Sequence, residues 1–132
     1  MKEKKVMKEE KQVSWDIRER SFEYALRAIK LYQFLQDGKD QAGWIIGKQY
    51  LRSATSIGAN LEEAKSGESK ADFIHKYSIA QKEARESLYW LRILNKSEIV
   101  SSQRLLPLLN ETEEIISVIT TIIVKVKKNR PS

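Results

Sequence analysis

The chain has 132 residues, enough for one domain with a real hydrophobic core and too few for two. It contains no cysteine, which excludes a disulfide framework, a thiolate metal site and a thiol nucleophile, and points to a cytoplasmic protein. A formal net charge of +6 favours polyanions such as nucleic acid or an anionic membrane surface, yet Lys and Arg are interleaved with Asp and Glu as on ordinary solvated helix faces.

Residues 1–13 mix both charges, lack the apolar core of a secretory signal and are expected to form a flexible charged arm ahead of a bundle over 14–128 and a tail over 129–132. The first helix is expected from near Ser14 or Asp16 to about Gln36, where Asp37-Gly38 supplies a polar stop and a glycine suited to positive φ. Phe22, Ala25, Leu26, Ile29 and Tyr32 make one apolar band on it, and Tyr24, Ala28, Leu31 and Leu35 extend that band around the cylinder.

Asp40 is the expected N-cap of a second helix ending before Ser66-Gly67. Its stretch Arg52–Ala64 is unusually rich in small side chains, and a glycine within a helix costs roughly 1 kcal/mol relative to alanine. Close approach of a neighbour over Ala54, Gly58 and Ala59 would account for it, with Ser56 and Asn60 making buried hydrogen bonds that fix the register.

Ser69, with Asp72 three residues on, caps a third helix over Lys70 to Asn95, whose inner face is expected at Phe73, Tyr77, Ala80, Ala84, Leu88 and Leu91. The fourth helix starts at Ser101 or Ser102, and Pro107 requires either a kink or a later start of its regular part. Leu105, Leu109, Thr112, Ile116, Ile119, Ile123 and Val126 follow alternating steps of four and three, widened by Leu108, Ile115 and Ile122. Its most apolar run, Ile115–Val124, is about half the ~20 residues a bilayer requires. The fold class is therefore all-α: an antiparallel up-down-up-down four-helix bundle.

The third helix carries a second group, Ile79, Trp90 and Ile93 with Glu83, Glu86 and Tyr89, on roughly the side opposite its inner face. A contiguous stripe with Trp and Tyr reads as a subunit interface, so a homo-oligomer is expected. Catalytic chemistry is not assembled. The single Asp72-x-x-His75 is weak beside the paired Glu-x-x-His motifs of di-metal bundles, and Glu62-Glu63 and Glu83/Glu86 read as salt-bridging acids. No Ser-His-Asp set and no glycine-rich phosphate loop occurs, so neither an enzyme nor a cofactor or metal is expected. The cations open to nucleic-acid contact are Lys48, Arg52, Arg85, Arg92 and the acid-free run Lys125, Lys127, Lys128 and Arg130. For each of these taken singly, solvation or an intramolecular ion pair is the competing reading.

The segments Arg52–Ala64, Asp72-Phe73-Ile74, Ile79–Glu86 and Tyr89–Arg92, with Ser21–Arg27 and Leu31-Tyr32, resemble a bacterial four-helix-bundle family. That family is named for proteins encoded in intervening sequences of large-subunit (23S) ribosomal RNA genes. The resemblance implies a homopentamer with a central channel, and a link to accessory proteins of diversity-generating retroelements that act through a basic surface. It carries no catalytic residue. The resulting expectation is a non-catalytic oligomeric scaffold that binds RNA or DNA through a basic surface. The alternative is a protein-protein adaptor for a nucleic-acid enzyme or another neighbouring gene product, with no direct nucleic-acid contact and no membrane association.

Overall fold

The computed structural model describes residues 2–65 and 69–129, with side chains from Asp16 onward. Four helices follow one another: α1 (Lys2–Asp37), α2 (Gln41–Lys65), α3 (Lys70–Lys96) and α4 (Ser102–Lys128). Among the described residues there is no strand. The first helix begins at Lys2 and not near Ser14 or Asp16. Residues 2–13 are rich in the good helix formers Lys and Glu and contain neither Gly nor Pro, so propensity carries the helix through a segment without apolar periodicity.

Local capping sets the other boundaries. Asp40 Oδ1 accepts from the Gly43 amide at 2.9 Å, Ser69 Oγ from Asp72 at 3.1 Å, and Ser101 Oγ from Arg104 at 3.3 Å, each satisfying an amide that the first helical turn leaves open. No described glycine has a positive φ, so the expectation at Gly38 is corrected. The α1–α2 turn is held instead by Trp44 Nε1 donating to the Gly38 carbonyl at 2.8 Å. Among the described residues the left-handed one is Glu98, at φ 62°, just past the end of α3. Pro107 lies inside α4, whose helix starts at Ser102 ahead of it.

The helices pack in the order α1–α2–α3–α4, with α4 returning to α1. The core is apolar with a polar thread. Tyr24, Tyr50 and Tyr77 are its largest fully buried side chains, surrounded by Ile17, Ile57, Leu61, Leu91, Leu94, Leu105, Ile115 and Ile119. Tyr50 donates to the Tyr24 hydroxyl at 2.9 Å, the Tyr24 and Thr112 hydroxyls lie 2.5 Å apart, and Thr112 donates to the Leu108 carbonyl at 2.6 Å. This hydrogen-bonded thread joins three helices and pairs each of its own hydroxyls.

The buried faces differ in detail from the periodicity reading. On α1 the core side is Tyr24, Ala28, Leu31 and Leu35, while Phe22 is 59% and Leu26 45% exposed. On α3, Ser87 and Leu94 join the buried set, and Phe73 and Leu88 are half-buried. On α4, Leu109, Ile116 and Val126 lie at the edge of the core and Leu108, Ile115 and Ile122 lie inside it.

The small-residue stretch of α2 also has a different role from the expected one. Ala54 is fully buried, but Ala59 is exposed, and Ser56 and the Asn60 amide bond within their own helix, to the carbonyls of Arg52 and Ser56. A buried bond between helices joins Ser53 to Ser87 at 2.9 Å. The tighter glycine contacts are at Gly43 and Gly47, where an added Cβ would meet Ile99 at 3.2 Å and Leu35 at 3.1 Å; at Gly58 it would meet Ser21 at 3.5 Å.

Candidate functional site

Two sets of residues that the sequence reading keeps apart meet along the α2–α3 seam. Arg52, half exposed, pairs with Glu83 at 3.2 Å and with Glu86, while Trp90 Nε1 donates to the same Glu86 oxygen at 3.0 Å. Burial opposes ionisation of Glu86, but the hydrogen bonds from Trp90 and Arg52 and the nearby positive charge outweigh it and hold the carboxyl below its ordinary range. The Glu86 hydrogen bond is also the main cause that raises the Arg52 pKa. Arg52 thus has an intramolecular ion pair, as its competing reading holds.

Ile79, Glu83, Glu86, Trp90 and Ile93 are each half-buried, and Trp90 packs against the core cluster. Only Tyr89 of that group stands well out, at 54%, edge-on to Trp90 with ring centroids 5.1 Å apart. The stripe read as opposite the core is therefore partly seated on α2 within the chain. A wider apolar exposure lies on α1, where Phe22, Leu26 and Ile29 follow helical spacing at 59%, 45% and 37%.

Lys125, Lys127 and Lys128 are exposed in the last turn of α4, without an ion pair to any described residue. Lys70 joins them at that end by donating to the Asn129 carbonyl at 2.6 Å. Arg130 lies outside the described residues. Arg85 and Arg92 are exposed on α3, roughly 22 Å and 33 Å along the helix from Lys70 at about 1.5 Å per residue, and Lys48 is exposed on α2. The seven candidate cations among the described residues do not converge on one surface.

A further cationic feature escapes the sequence reading. Arg27 and Lys30 from α1 and Arg104 from α4 line a cleft of about 230 Å³ with Leu31, Pro107 and Leu108. Arg104 stands over the Phe34 ring, its guanidinium carbon 3.8 Å from the centroid. Its trace in the sequence is the spacing of three between Arg27 and Lys30, which puts both on one side of α1. Beside the cleft, Arg20 donates to both Glu111 oxygens, at 3.1 and 2.7 Å, and that bond raises the Arg20 pKa.

His75 is exposed, and among the described residues no group of three or more His, Asp or Glu side chains is placed to hold a metal ion. No helix, among the described residues, is long and apolar enough to cross a membrane.

Comparison with curated proteins finds no match. Among solved structures, the chain is similar to a protein of unknown function from the S23 ribosomal protein family of Bacteroides thetaiotaomicron VPI-5482. The TM-score is 0.80 at 39% identity, covering 85% of this chain and 98% of that one. The family model described as 23S rRNA-intervening sequence protein matches residues 14–121, which contains α2 and α3 whole and most of α1 and α4, so the chain belongs to the 23S rRNA-intervening sequence protein family.

Proposed function

We propose that this chain is a non-catalytic, cytoplasmic, oligomeric scaffold, an up-down-up-down antiparallel bundle that binds RNA or DNA through its basic surface. The direction of the helices is supported by their contacts, in which rising numbers on one helix meet falling numbers on the next. Ser53 meets Ser87 and Glu63 meets Lys76; Lys70 meets Asn129 and Gln81 meets Thr120.

The observation that carries the binding role is the end of α4. Three exposed lysines stand in one turn with no acidic partner among the described residues. Cations there also offset the partial negative charge of a helix C-terminus, equivalent to about half an elementary charge, which three lysines exceed. The remainder is available to phosphates, and a symmetric oligomer would repeat it around one particle. The family description names an intervening sequence of 23S rRNA, which makes RNA the first ligand to test.

The reading expects salt-sensitive binding to structured RNA, weakened when Lys125, Lys127 and Lys128 are replaced by Gln. No binding to any nucleic acid at low salt would end it. The exposed apolar residues Phe22, Leu26 and Ile29 favour a second reading, a protein adaptor. A partner that survives nuclease in a pull-down, together with no affinity of the pure protein for RNA, would select the adaptor. Oligomer mass by light scattering for Trp90→Ala and for Leu26→Ser would show which apolar surface joins the subunits.

A further inference from the structure

We propose that the α1–α4 cleft binds single-stranded nucleic acid, with a phosphate held among Arg27, Lys30 and Arg104 and an adjoining base laid on the apolar floor. This rests on the nucleic-acid reading above and adds to it a second site and a form of strand. The site is separate from the lysines that end α4: Arg104 and Lys125 are roughly 31 Å apart along the helix at about 1.5 Å per residue.

The lining has cations and apolar groups and no acid. None of the three cations has an ion pair with a described residue. Glu111, a carboxylate on the α4 side of this seam, is engaged through both oxygens by Arg20 and does not compete for them. Arg27 and Lys30, three residues apart, have Cβ atoms about 5–6 Å from each other, close enough for both to reach one phosphate. Arg104 comes from the facing helix, where the Phe34 ring restrains its long side chain.

The floor decides the form of the strand. Leu31, Pro107 and Leu108 are apolar, and in a duplex the base faces are stacked inside, so a duplex would meet the rim cations and leave the floor uncovered. A single strand offers phosphate and exposed base faces together, and both halves of the cleft then have a partner. At about 230 Å³ the cleft is smaller than the roughly 300–1,000 Å³ pockets that enclose a drug-sized ligand. It accommodates one nucleotide unit of a strand that continues over the surface.

The test uses fluorescence anisotropy of the full chain at low salt, with a labelled single-stranded oligouridylate and a hairpin duplex of equal phosphate number. The wild type is expected to bind the single strand more tightly. Replacing Arg27, Lys30 and Arg104 together by Gln should lower that affinity ten-fold or more and reduce the slope of log K against log salt by about 0.7, the value for the one phosphate they hold. Phe34→Ala, at an exposed position, should weaken single-strand binding while leaving helical content unchanged. The Gln variant of Lys125, Lys127 and Lys128 should bind both forms less well and keep the preference. Equal binding of the two forms by the wild type, or wild-type single-strand affinity in a folded triple variant of the cleft, would overturn the cleft proposal. Absence of binding to either form would overturn the nucleic-acid reading itself.

Discussion

Arg52 of α2 and Glu86 of α3 are joined across the seam between their helices by an ion pair whose acid also accepts from Trp90. One interaction therefore fixes a charge that would otherwise face solvent and the rotamer of a half-buried tryptophan. Exposed pairs contribute only about 0–1 kcal/mol, and Arg52 is half exposed, so Arg52→Ala should lower stability by less than about 1 kcal/mol in chemical denaturation. Its effect on RNA affinity should be small beside that of the α4 lysines, because the charge is already countered by Glu83 and Glu86. A loss of affinity as large as that of the lysine variant would show that Arg52 exchanges its acids for phosphate.

The tyrosine pair gives a pH prediction. Burial is the main cause that pushes the Tyr24 phenol up to about 12 and raises Tyr50 well above its usual value near 10. An unfolded chain releases these protons near pH 10 while the folded chain keeps them, so the unfolded state binds fewer protons and stability falls as pH rises. The contribution is complete below about pH 10 and is lost toward pH 12, on the order of 2–3 kcal/mol for Tyr24. Urea midpoints measured between pH 8 and 11 should fall more steeply in the wild type than in Tyr24→Phe. At neutral pH, Tyr24→Phe should cost about 1–3 kcal/mol, more than Tyr50→Phe, because it strands the Tyr50 hydroxyl and takes one of two partners from Thr112, whereas Tyr50→Phe leaves Tyr24 bonded to Thr112.

That same thread explains what the sequence made legible and what it did not. Caps at Asp40, Ser69 and Ser101 are local chemistry, so three helix starts could be read directly. On α1 two apolar bands compete, and periodicity favours the one with Phe22, Leu26 and Ile29. Tyr24 goes inside because its hydroxyl finds Thr112 and Tyr50, partners on two other helices that a single-helix pattern cannot reveal. The cleft is hidden for the same reason: Arg27 and Arg104 become neighbours only when α4 packs on α1. Arg52 and Glu86 each stand out in the sequence, but their pairing depends on the α2–α3 register.

Gly58 lies in the small-residue stretch yet is not at its tightest contact. An added Cβ would sit 3.5 Å from Ser21, ordinary van der Waals distance, whereas at Gly47 it would come within 3.1 Å of Leu35. Gly58→Ala should therefore raise stability by up to about 1 kcal/mol through helix propensity, and thermal melting should show a higher midpoint. Gly47→Ala should gain less, since the Leu35 side chain has to move. A lower midpoint for Gly58→Ala would mean that the α1–α2 spacing at Ser21 has no room to take up a methyl group.

Glu98 occupies the position after the C-cap of α3, where glycine is usual, with φ 62° and its amide bonded to the Asn95 carbonyl at 3.1 Å. A left-handed conformation costs a side-chain-bearing residue about 1–2 kcal/mol, and glycine removes most of that while adding freedom to the unfolded chain worth about 0.4–1 kcal/mol. The strain is the larger of the two, so Glu98→Gly should stabilise the bundle by roughly 0.5–1 kcal/mol. Denaturant midpoints would check it, with an unchanged m-value as the sign that only stability moved. Glu98→Val should act in the opposite direction, because a β-branched side chain tolerates this backbone least. If Gly and Val shifted the midpoint equally, side-chain contacts of Glu98, and not its backbone, would be setting the energy of the α3–α4 turn.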